Sequence, residues 1–174
     1  IVVVCYTGQS AGHAVMALRL MGHTDARVLK FGMSGWNANF SSPWTGNTGD
    51  AGVGHNKWKN GEITSPGKHN GPAWTGTATT DQLQLRDRVQ AMLQEGFKGI
   101  SNADVLADPN GFFINNFWAA ADTEQYGHIE GAHRLFPMSL ANGDFENLDP
   151  DKTIVTYCWT GQTSSMVTAY LTVL

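Results

Sequence analysis

Apolar positions fall in short blocks separated by polar, Gly-containing turns. The chain opens on "IVVVC" at 1–5, a β-branched run without polar alternation, as in a strand buried on both faces of a parallel sheet. After a Gly turn, Ala11, Val15, Leu18 and Met21 recur at spacings of four and three, which predicts a helix stopped by Gly22. "ARVLKF" at 26–31 reads as a second strand, so residues 1–36 form a βαβ unit. Leu85, Val89, Met92 and Leu93 make another helical stripe, ended by Gly96. "SNAD" at 101–104 is a capping box that opens a short helix stopping before Pro109. "GFFINNF" at 111–117 and "KTIVTYC" at 152–158 read as strands. "YGHIEGAHRLFP" at 126–137 reads as a turn followed by a short strand, and "SSMVTAYLTVL" starts a final helix.

Residues 37–80 lose this periodicity and are rich in Gly, Asn, Thr, Ser and Pro, the composition of a linker or irregular excursion. Trp44, Trp58 and Trp74 are expected to pin the segment onto a domain surface.

Composition narrows the function classes. At 174 residues, 41% hydrophobic and 15% charged, the chain can bury a core and is not disordered. The net charge of −4 and the absence of a Lys/Arg run argue against nucleic acid and anionic membrane as partners. No apolar stretch reaches the ~20 residues of a membrane span. The first residue is Ile rather than Met, which reads as processing or as an excerpt of a longer protein.

The two cysteines sit in a repeated loop, "VCYTGQSAGH" at 4–13 and "YCWTGQTSSM" at 157–166. Matched contexts argue for matched chemistry rather than a disulfide framework. In each, a strand delivers a cysteine into a turn containing Gly8 or Gly161, and a helix begins at once. Amide N–H groups of such a turn point into one concavity, and the helix dipole adds positive charge. A cysteine there is expected to have a lowered pKa. Thr7, Thr160, Ser10 and Thr163 add hydroxyl donors. Two chemistries use such a cradle. Phosphate-ester cleavage through a phosphocysteine normally wants an Arg to clamp the phosphate oxygens, and neither loop has one. Sulfane-sulfur transfer needs only a small cradle for a persulfide, which an acceptor nucleophile then attacks.

These residues resemble the rhodanese (thiosulfate sulfurtransferase) family. The resemblance lies in the loops "CYTGQS" and "CWTGQT", in "GHIEGAH" at 127–133, and in "LKFGMSGW" at 29–36, which is similar to the Gly-x-x-x-Trp ending of a rhodanese domain. It implies an α/β fold with a central parallel sheet and helices on both faces. It also implies a tandem arrangement: 1–36 as the C-terminal half of a first domain, 37–81 as linker, and 82–174 as a second domain lacking its C-terminal part. Alternatively the two halves complement each other as one permuted domain, which requires the "RVLKF" strand to join the sheet of "FFINNF" and "TIVTY".

By this resemblance the persulfide-forming residue is Cys5 or Cys158. Tyr6, Thr7, Gly8, Gln9 and Ser10, and Trp159, Thr160, Gly161, Gln162 and Thr163, bind substrate. No cofactor beyond the covalent persulfide and no metal are expected; His55 and His69 fit no metal spacing. The partners implied are a small anionic sulfur donor and a thiophilic acceptor, whether cyanide, a thiol or a sulfur-accepting protein. Two departures stand out. Tyr6 and Trp159 replace the Arg often found beside the family's cysteine, and Asn115 and Phe117 match its usual Asp-x-Arg pair. The alternatives are a rhodanese-like binding or scaffolding module, and more distantly a cysteine-based phosphatase or arsenate reductase.

His128 is expected to be structural, His13 to miss the sulfur, Trp36 to plug the domain's end, and Gly8 and Gly161 to adopt positive φ or allow close approach. Arg134 reads equally as an attractant for an anionic donor or as a surface ion-pair partner. The Asn/Gly/Thr/Trp-rich linker suggests a bacterial envelope or periplasmic protein; the two thiols fit the cytoplasm equally well.

Overall fold

The computed structural model describes residues 1–73 and 75–174; Trp74, expected to pin the middle segment, lies outside the described residues. In chain order the elements are β1 (Val2–Val3), α1 (Gln9–Leu20), β2 (Arg27–Val28), α2 (Ser42–Thr45), β3 (Trp58–Lys59), α3 (Asp81–Glu95), α4 (Asn102–Ala107), β4 (Phe112–Asn116), α5 (Ala120–Tyr126), β5 (His128–Ile129), β6 (Thr153–Tyr157) and α6 (Gln162–Val173). Helix signals hold at the residues that carried them. The Ser101 side chain accepts from Asp104 N–H to open α4, and Gly96 closes α3 at φ 76°.

This mixed α/β chain forms two compact units. One comprises Ile1–Gly49, Trp74–Lys98 and Thr160–Leu174; the other, Asp50–Ala73 and Gly99–Trp159.

In the first unit, β1 and β2 pair in parallel, with Val2 opposite Arg27 and Val3 opposite Val28. The crossover between them is α1, which packs on α6 and α3. Ala17, Val89, Met92, Ala169 and Val173 form the buried cluster among these three helices. Two expectations fail here. "IVVVC" is not buried on both faces: Ile1 and Val2 are each 62% exposed and Val4 46%. β1 has β2 along one edge and α1 against one face, and apolar β-branched content alone does not supply a second cover. Trp36 is 72% exposed and plugs nothing. Phe31 and Gly32 are both left-handed, at φ 62° and 58°, which reverses the chain before Trp36. The aromatic contact is made instead by Phe31 and Trp44, edge to face at 5.4 Å.

In the second unit, β4 and β6 run parallel in register from Phe112–Thr153 to Asn116–Tyr157. Val105, Ile114, Ala132 and Val155 pack around this pair. β3 pairs antiparallel with β5, so Trp58 does pin its segment, and its indole N–H donates to the Tyr126 carbonyl at 2.8 Å.

The strand pairing set out above for a single permuted domain is not among the ladders of the described residues. Its test strand, β2, has its ladder with β1, while β4 and β6 make a separate one. A βαβ crossover closes over a short helix, and that local closure costs about 1 kcal/mol less chain entropy than a pairing with strands roughly a hundred residues away.

Candidate functional site

The first loop is built by a short strand, a left-handed glycine and a helix start. Val3 leads into Cys5, Gly8 turns the chain at φ 84°, ψ −5°, and α1 begins at Gln9. The amides thereby face the sulfur: Gly8 N–H donates to Cys5 Sγ at 3.1 Å and Ala11 N–H at 3.4 Å. Burial pushes the Cys5 thiol up, but the Ser10 hydroxyl and the N–H groups of Ala11, Thr7 and Gly8 outweigh it and hold the thiol below its ordinary value. Cys5 is half-buried, and two backbone amides support its sulfur.

The loop is braced from behind by the turn after β2. Met33 N–H donates to the Cys5 carbonyl at 2.9 Å, and Ser34 donates to the Tyr6 carbonyl through its N–H at 2.9 Å and its hydroxyl at 2.7 Å. Gly32 permits this approach. A Cβ there would collide with the Cys5 carbonyl oxygen and lie 2.7 Å from Tyr6 backbone atoms.

The second loop repeats the local geometry. β6 ends at Tyr157, Cys158 follows, Gly161 is left-handed at φ 74°, ψ −9°, and α6 starts at Gln162. Gln162 N–H donates to Thr160 Oγ1 at 3.4 Å. Neither cysteine is in a disulfide.

Cys158, Thr160 and Gly161 build the second loop as just described, and the other predicted residues separate into three groups. Cys5, Thr7, Gly8 and Ser10 converge on one sulfur. Gln9 and Gln162 turn their carboxamides elsewhere: Gln9 Nε2 donates to the Thr160 carbonyl at 3.0 Å, and Gln162 Nε2 to the Thr7 carbonyl at 2.8 Å. Tyr6 and Trp159 face outward, 58% and 56% exposed, and Thr163 is exposed. Trp159 stacks on buried Trp118 at 4.6 Å and meets Tyr126 edge-on at 5.2 Å. Sequence reasoning missed Ala11, whose amide follows from the helix starting at Gln9. It also missed Gly32, Met33 and Ser34, where a Gly directly after a strand was the available signal.

The remaining candidates have structural partners. His128 is buried with Nδ1 3.0 Å from the Ile129 carbonyl oxygen. Arg134 forms no ion pair among the described residues; its Nη1 donates to the Phe136 carbonyl at 2.8 Å and the Trp118 carbonyl at 3.4 Å. Asn115 is fully buried and its Oδ1 accepts from Leu135 N–H at 3.1 Å, while Phe117 packs edge-on against Phe136 at 4.9 Å. These side chains fill the Asp-x-Arg positions with a neutral hydrogen bond and an aromatic contact. Among the described residues, no helix is long and apolar enough to cross a membrane.

Nothing among curated proteins or solved structures matches the chain. The family model of the rhodanese-like domain matches residues 1–39 and 104–173. That match takes in both cysteine loops and more than half of the sequence, and the chain belongs to the rhodanese-like domain family.

Proposed function

We propose that the protein is a sulfurtransferase or sulfur carrier that works through a persulfide on Cys5, with Cys158 in the repeated loop as a second carrier position. The observation that supports this most directly is the convergence of the Gly8 and Ala11 amides on Cys5 Sγ, which favours a thiolate. The thiolate attacks the outer sulfur of thiosulfate, or of a persulfide donor. A sulfur–sulfur bond forms at Cys5, the donor's own breaks, and sulfite (or the donor thiolate) leaves with the electron pair. An acceptor such as cyanide, a thiol or a sulfur-accepting protein then takes the terminal sulfur, and the Cys5 thiolate is returned. The same amides hold the terminal sulfur in the persulfide state, as amides hold anions generally.

The test is incubation with thiosulfate, followed by mass analysis of both cysteine peptides and a thiocyanate assay with cyanide. A gain of one sulfur atom on the Cys5 peptide, lost in Cys5→Ser together with most thiocyanate formation, is expected. Turnover undiminished in Cys5→Ser removes Cys5 from the mechanism. No sulfur gain from any sulfane donor removes the reading altogether.

A binding module is the second reading. It is favoured by Tyr6 and Trp159, aromatic and more than half exposed at the positions where a cation would aid an anionic donor. A Cys5 thiol titrating near the free value of ~8.5 would favour it.

A further inference from the structure

The Thr7–Gly8 peptide is held at both of its polar ends. Its N–H donates to Cys5 Sγ at 3.1 Å, and its carbonyl accepts from Gln162 Nε2 at 2.8 Å. A trans peptide is planar, with N–H and C=O pointing in opposite directions, so fixing the oxygen fixes the direction of the donor. This peptide needs fixing. Gly8 is left-handed at φ 84°, and glycine tolerates the flipped arrangement as readily as the observed one. A flip would remove the N–H from the sulfur and turn a carbonyl oxygen towards it.

Gln162 resists that flip. It is only 8% exposed, so its carboxamide would lose a partner with little water to replace it. The close approach depends on Gly8 having no side chain: a Cβ there would lie 3.0 Å from Gln162 Cδ and Nε2. The opposite loop uses the same device. Gln9 Nε2 holds the Thr160 carbonyl, and the next residue, Gly161, is left-handed at φ 74°. Each loop's threonine carbonyl is thus held by the other loop's glutamine, across 151 and 155 residues of sequence.

We infer that Gln162 is a positioning residue for Cys5: by holding the Thr7 carbonyl it keeps the Gly8 N–H aimed at the sulfur, so the first loop's cradle is completed only by the second loop. The inference rests on the sulfur-carrier reading, since it gives that reading's thiolate its orientation.

The test is the pH dependence of alkylation at Cys5, followed by mass analysis of the Cys5 peptide in the full chain. Gln162→Met keeps the length of the side chain but cannot donate, and is expected to raise the Cys5 pKa by roughly one unit. Gln162→Ala removes the carboxamide without introducing a buried charge and leaves a good helix former in α6, so it serves where Gln162→Met packs badly. It too cannot donate and is expected to raise the value. Val89→Ala, in the buried cluster of the same helices, lowers stability and is expected to leave the Cys5 pKa unchanged. An unchanged pKa in both Gln162 variants overturns the inference and leaves the carrier reading standing. An equal rise in Val89→Ala also overturns it, because the effect is then one of general stability. An ordinary Cys5 pKa in the unsubstituted protein instead removes the carrier reading.

Discussion

Replacing Gly32 by Ala tests whether the turn after β2 supports the Cys5 loop. A Cβ at this position would collide with the Cys5 carbonyl oxygen and lie 2.7 Å from both Tyr6 C and Tyr6 O. All of these are backbone atoms, so no side chain can swing aside to make room. The left-handed backbone at φ 58° adds about 1 kcal/mol for an alanine. Relieving the clash must stretch Met33 N–H to Cys5 O and Ser34 N–H to Tyr6 O, both 2.9 Å, at about 1 kcal/mol each. The expected loss is therefore about 3 kcal/mol. Gly22→Ala is the matched control: φ is 96°, yet nothing lies within 4 Å of the added Cβ, so only the backbone term of about 1 kcal/mol applies. Urea unfolding of the two variants measures the difference, and alkylation of Cys5 reads its effect on the sulfur. Gly32→Ala should unfold at lower urea than Gly22→Ala and alkylate more slowly near neutral pH. Equal midpoints with normal Cys5 reactivity would refute the bracing role.

Tyr157→Phe removes the phenol oxygen that accepts from Asn116 Nδ2 at 2.8 Å and Ile129 N–H at 3.4 Å, and should cost about 1–3 kcal/mol in thermal unfolding. Burial pushes the Tyr157 phenol far up, so tyrosinate absorbance from this residue should appear only as the protein unfolds in alkali. Burial holds the His13 imidazole below its ordinary value, so its NMR titration midpoint should fall below roughly 6.5. The sign follows by linkage. Between the depressed folded value and the ordinary unfolded one, the unfolded chain binds more protons, so this contribution is complete above the ordinary value and is lost as pH falls through the folded one. A His13→Asn variant should show a flatter stability profile across that window; an unchanged profile would contradict the assignment.

The parts of this site that could be read in the sequence are those that local chemistry decides. Gly8 and Gly161 sit where a strand must turn into a helix, and both are left-handed. The capping box at Ser101 and the stop at Gly96 follow from backbone groups within a few residues. The misreadings involve burial and distant partners. "IVVVC" looks the same whether one face is covered or two, because apolar content records what a strand can bury and not what lies against it. Trp36 resembles a terminal plug until the left-handed pair Phe31 and Gly32 turns it outward. The glutamine braces join residues more than 150 positions apart, with no periodicity to announce them.

That separation has a consequence for how the protein comes into being. The amide that Gly8 turns toward Cys5 is held by a side chain made long after it. Closing a loop of 155 residues costs about 4.5 kcal/mol of chain entropy, recovered only as the helices around Met92 pack. While the ribosome is still short of residue 162, Cys5 lacks this brace. On the inferred positioning role of Gln162, the Cys5 thiol of a chain shorter than 162 residues is less acidic, and so less prone to oxidation, than that of a chain that includes it.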